Sequence, residues 1–95
     1  MSDVPVWQGE IRVRRTTPAG ADRLLRALLP EASREVPRAR AVVDRPDPDT
    51  VRIRLTARDT GAARAAVNTY LGWISLAERT ERAGRRPDLD PAPAP

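Results

Sequence analysis

The sequence predicts an α+β domain of order β-α-β-β-α, with a three-stranded antiparallel sheet and two helices on one face. Three observations carry this. Two segments alternate apolar and polar residues with period two, and a third does so more weakly. Two others repeat apolar residues at helical spacing. The 95 residues suffice for one domain, and one this small often completes its core by oligomerising.

Residues Trp7 to Arg15 form the first strand: Trp7, Gly9, Ile11 and Val13 share one face, and Gln8, Glu10, Arg12 and Arg14 the other. Thr17-Pro18 reads as an N-cap with proline at the first helical position. Ala21, Leu24, Leu25 and Leu28 then make one helical face, and Pro30 is expected to stop that helix. Glu31 to Pro37 is a connector. Arg38 to Asp44 is a weaker strand with Ala39, Ala41 and Val43 inward. Arg45 to Thr50 reads as a rigid turn. In the strand Val51 to Arg58, Val51, Ile53, Leu55 and Ala57 face in. Asp59 caps a second helix from Thr60 to about Arg82, with Gly84 as terminator. The domain is read as residues 1–84, and the proline-rich residues 85–95 as a disordered tail. The last two strands form a hairpin, and pairing of the first with the third gives the order 1-3-2, with two open sheet edges.

Composition narrows the chemistry. No cysteine or histidine is present, which excludes disulfides, thiolate chemistry and Ser/His or Cys/His arrangements. No Gly-rich phosphate loop occurs. Asp47 and Asp49 in a Pro-rich turn read as turn residues, and Asp59 as a cap. No catalytic residue, metal site, cofactor or small-molecule substrate is expected. The start Met1-Ser2-Asp3 lacks a secretory pattern, and no apolar run approaches the roughly 20 residues of a membrane span. The expectation is a soluble, cytoplasmic protein without membrane contact.

The second helix is unusually apolar. At 100° per residue from Ala63, Ala66, Val67, Tyr70, Ile74 and Ala77 fall within about 60°, and Leu71 at about 80°. Ala62, Gly72, Trp73 and Leu76 lie at roughly 180° to 280°. One sheet contact needs only a stripe of about 100°. Either the first helix covers the second arc, or Trp73 and Leu76 meet another chain, with Gly72 allowing close approach.

All 17 basic residues are arginine, and the net charge is +4. The outer sheet face would carry Arg12, Arg14, Arg40, Arg52, Arg54 and Arg58, offset by Glu10 and Asp44. Such a face suits phosphate contact, although a solvated strand face in an arginine-only chain looks the same. No aromatic interleaves with the arginines, so base stacking is not supported.

The run from Asp59 to Ile74 resembles the second-helix signature of the small dimerising subunit of KEOPS, in the CTAG/PCC family. Asp59, Arg64, Ala65, Ala66, Asn68, Leu71 and Ile74 fill its aspartate, arginine, small-residue, asparagine and hydrophobic places. Leu24 to Glu31 resembles the family's "AL-PE" segment. The hairpin Ala41 to Ala57 agrees in length and polarity. Gly72 and the proline-rich tail depart from the pattern. The resemblance spans about residues 9 to 80 and implies the same β-α-β-β-α arrangement. It also implies a non-catalytic scaffold of an archaeal-type complex that installs threonylcarbamoyl on the adenosine beside the tRNA anticodon. The ASKHA-fold transferase subunit, a homodimer mate and tRNA are the implied partners. Leu24, Leu28, Asn68, Leu71, Trp73, Ile74 and Leu76 become candidate partner contacts, and the six outer-face arginines candidate tRNA contacts.

Three classes of function follow. A dimeric scaffold predicts co-purification with the transferase. A stand-alone RNA- or DNA-binding module predicts salt-sensitive binding that is lost on charge reversal at Arg52 and Arg54. A small enzyme would need an activity that survives removal of its partners.

Overall fold

The computed structural model describes residues 7–33 and 38–85. Its elements are β1 (Trp7–Arg14), α1 (Pro18–Ala32), β2 (Ala39–Asp47), β3 (Thr50–Ala57) and α2 (Thr60–Arg85). The sheet is antiparallel in the order β1-β3-β2. Period-two patterning sets its register: Ile11 pairs with Ile53, which pairs with Val43. Both helices pack on this apolar face.

The core is thin and continuous. Val51, Ile53, Leu55 and Ala57 of the central strand are all buried. Ala21, Leu24 and Leu28 of α1 cover them from one side, and Ala63, Ala66, Tyr70 and Ile74 of α2 from the other. Leu28 is 1% exposed, so truncation to alanine costs about 2–5 kcal/mol.

Local chemistry sets the boundaries. Thr17 Oγ1 accepts the Gly20 N–H at 3.0 Å, and Pro18 follows at the start of α1. Asp59 Oδ1 accepts the Ala62 N–H at 2.7 Å at the start of α2. Pro30 does not stop α1, which runs on to Ala32. In the last turn a proline removes one N–H donor and keeps a helical φ, and Ser33 Oγ donates to the Pro30 carbonyl at 2.8 Å. Glu31 and Ala32 are therefore helical, not connector.

The hairpin turn is also shorter than expected. β2 extends to Asp47, and the turn is confined to Pro48 and Asp49. The register shifts between Asp44 and Asp47, which places Pro46 in an irregular stretch of an edge strand, where its missing N–H is tolerated. Arg45 holds this bend by donating to the Pro48 carbonyl (2.7 Å) and the Pro18 carbonyl (3.1 Å). β3 ends at Ala57, so Arg58 lies just beyond it. Gly84 does not end α2, which includes Arg85. The remainder of the expected tail, residues 86–95, and connector residues 34–37 lie outside the described residues.

At 26 residues, α2 is a rod of roughly 39 Å, longer than an eight-residue strand at about 27 Å. Its last buried apolar residue is Ile74. Ala77 still packs against the core in part, and beyond it ion pairs hold the helix. Arg15, just past β1, donates to Glu78 at 2.8 Å and also to Glu81. Arg23 of α1 donates to Glu81 through Nε at 2.7 Å.

Candidate functional site

Two surfaces differ from an ordinary solvated exterior. The first is a groove between α1 and the C-terminal half of α2. It encloses about 380 Å³ and is lined mainly by apolar atoms. Leu24 and Leu28 form its floor, and Ala27, Trp73, Leu76 and Ala77 its walls. Arg15, Arg23, Glu78 and Glu81 form a charged cluster along its lining, and Glu31 also lines it. Trp73 is half-buried, with its ring edge-on to Tyr70 at 5.0 Å and 83°. Leu76 is 55% exposed.

The two readings of the second apolar arc thus divide between residues. α1 covers Trp73 in part and leaves Leu76 open. The other candidate contacts do not share this groove. Ile74 is buried in the core. Leu71 is 48% exposed, about 160° around the helix from Trp73, and so lies on the flank turned away from α1. Asn68 is exposed near Leu71 on that flank. Gly72, at the outer edge of the second arc, is exposed, and an added Cβ there would meet nothing within 4 Å. The groove-lining residues Ala27, Arg15 and Arg23 were not singled out from the sequence. Only the approach of α1 brings them beside Leu76, and no spacing within one element encodes that.

The second surface is the open face of the sheet. Arg12, Arg14, Arg40 and Arg54 are exposed there, and Arg52 is half-buried. Arg58 is exposed beyond the end of β3. Carboxylates engage several of them. Arg52 places Nε and Nη2 on the two oxygens of Asp44 at 2.8 and 2.6 Å, while Arg54 reaches Asp44 at 3.3 Å. The hydrogen bond from Arg52 holds the Asp44 carboxyl below its ordinary range. Glu10 accepts from Arg12 at 2.5 Å and is lowered chiefly by that bond. Arg14 is more open than Arg12, Arg52 or Arg54: its side chain is 82% exposed, and its ion pair with Asp49 is long at 3.5 Å.

Among the described residues no group of three acidic, histidine or cysteine side chains could hold a metal ion. No helix among them is long and apolar enough to cross a membrane.

The family model described as transcription factor Pcc1 matches residues 8–81. The chain belongs to the Pcc1 family. The match spans all five elements, from β1 into the last turns of α2. This is the small-subunit family of KEOPS and a non-catalytic one, so the chain takes the role of a KEOPS-associated subunit in tRNA modification. No curated protein matches the chain.

Proposed function

We propose that this Pcc1-family chain is a cytoplasmic, non-catalytic scaffold that forms a homodimer, docks the ASKHA-fold transferase subunit of KEOPS and helps to hold tRNA. The observation that carries the docking reading is the open apolar groove between α1 and α2. Its floor is core and its wall residue Leu76 is left in water. Helices of a partner laid into such a groove would bury apolar surface that the chain cannot bury itself.

The β1 edge supports the dimer. β1 is regular over eight residues, with Ile11 and Val13 only half-buried, whereas the β2 edge is interrupted near Pro46. Leu71 lies on the flank of α2 away from α1. Because α1 packs chiefly over β2, that flank is the β1 side. A second copy pairing along β1 would use a different surface from the transferase.

The test is co-expression with the transferase subunit, followed by capture through that subunit. The chain should be retained at micromolar concentration. A chain that washes away as a monomer contradicts the reading. A second reading, a stand-alone nucleic-acid-binding module, draws on the exposed Arg14 and Arg40. It requires the isolated chain to bind RNA or DNA at physiological salt without other subunits.

A further inference from the structure

On the open sheet face, two carboxylates compete with any outside anion for the same guanidinium groups. Antiparallel register aligns Arg12, Arg52 and Asp44 in one cross-strand row, and Glu10, Arg54 and Val42 in the next. Five arginines of the strands (Arg12, Arg14, Arg40, Arg52 and Arg54) thus share the face with Glu10 and Asp44. The pairing is uneven. Asp44 takes the forked edge of Arg52 with both oxygens and also draws in Arg54. Arg52 keeps only 22% of its side chain exposed. Arg14 makes only a long 3.5 Å ion pair with Asp49 and keeps 82% of its side chain exposed, so most of its N–H groups are open.

A guanidinium whose Nε and Nη edge already lies on a carboxylate cannot present that edge to phosphate. An incoming phosphate must displace Asp44 or settle for the remaining N–H groups, and the carboxylate repels it at close range. Asp44 therefore acts on two arginines at once. Glu10, hydrogen-bonded to Arg12, does the same more weakly.

We propose that Asp44 is a built-in competitor for phosphate that occupies Arg52, restrains Arg54 and sets how tightly this face holds an RNA backbone. This rests on the reading that the open sheet face meets tRNA. Arg14 and Arg40 make the contacts available in the resting chain. Arg52 contributes only when Asp44 is displaced.

The experiment measures binding of an unmodified tRNA transcript to the full chain in its co-expressed complex, at several salt concentrations. Asp44→Asn is nearly isosteric and should tighten binding about three- to tenfold, with a steeper salt dependence. In the Asp44→Asn background, Arg52→Ala should remove the gain, while in the wild-type background it should change affinity little. Asp22→Asn makes the same charge change in the helical layer and should leave affinity unchanged. Glu10→Gln gives a smaller gain and is an independent check should Asp44→Asn fold poorly. Unchanged or weaker binding by Asp44→Asn overturns the proposal, as does an equal gain from Asp22→Asn. If Arg14→Ala/Arg40→Ala binds like wild type, the underlying reading that this face meets RNA fails, and the proposal fails with it.

Discussion

Asp59 does two jobs at the entry to α2. Its side chain caps the helix through the Ala62 N–H and accepts from Arg38 Nε at 2.5 Å. Arg38 itself sits at φ 66°, a left-handed conformation that an arginine rarely adopts. The backbone bond from Ala62, and then Arg38, hold the Asp59 carboxyl below its ordinary value of 3.8. The stability it adds is full above that value and is lost as the pH falls through it toward the lower folded pKa. Asp59→Asn should keep the cap, since asparagine caps equally well, yet flatten the acid limb of the stability curve. Urea melts between pH 2 and 6 check this; an unchanged acid limb would remove Asp59 as its source. The cap is legible in the sequence as Asp59-Thr60-Gly61. Its partner Arg38 is not, because the contact joins residues 21 apart through a left-handed turn. Pro30 is a different case: its fixed φ is helical, so α1 continues past it to Ala32 with the loss of one backbone N–H bond.

At the scale of elements, α2 is held by apolar packing as far as Ala77 and by charge beyond it. Arg15→Ala removes both of its bonds to Glu78 and Glu81. It should cost about 1–2 kcal/mol, less than a fully buried pair because Glu78 is 38% exposed. Hydrogen exchange should quicken in residues 75–85 and stay slow in 60–74. Uniform quickening would mean that the ion pairs support the whole helix. Gly72→Ala meets no steric obstacle and should stabilise the isolated chain by about 0.5–1 kcal/mol, read as a higher Tm. If a partner helix approaches closely there, the same change weakens the assembly. The helical wheel makes the excess apolar surface of α2 legible. It cannot show on which side α1 lies, so Trp73 and Leu71, which flank the same core stripe, look equivalent until the helices are packed. Likewise, alternation reveals the arginine face, but only the register reveals that Asp44 takes Arg52 and Arg54.

For the whole molecule, the order β-α-β-β-α follows from period and hairpin logic, and the strand order 1-3-2 from the pairing of the first strand with the third, which makes the sheet antiparallel throughout. The surfaces left over are where the proposed contacts would be made. The groove belongs to no single element, and its most informative residue is Leu76 rather than the half-buried Trp73, whose replacement would disturb the core edge. Leu76→Ala should leave the stability of the isolated chain within about 0.5 kcal/mol. On the proposed reading, the α1/α2 groove, and not the opposite flank of α2, seats the transferase subunit. The most direct measurement is the mass of the complex after co-expression with that subunit, comparing Leu76→Glu with Leu71→Glu. Leu76→Glu should lose the transferase while remaining folded, and Leu71→Glu should retain it. Retention of the transferase by Leu76→Glu would contradict the claim.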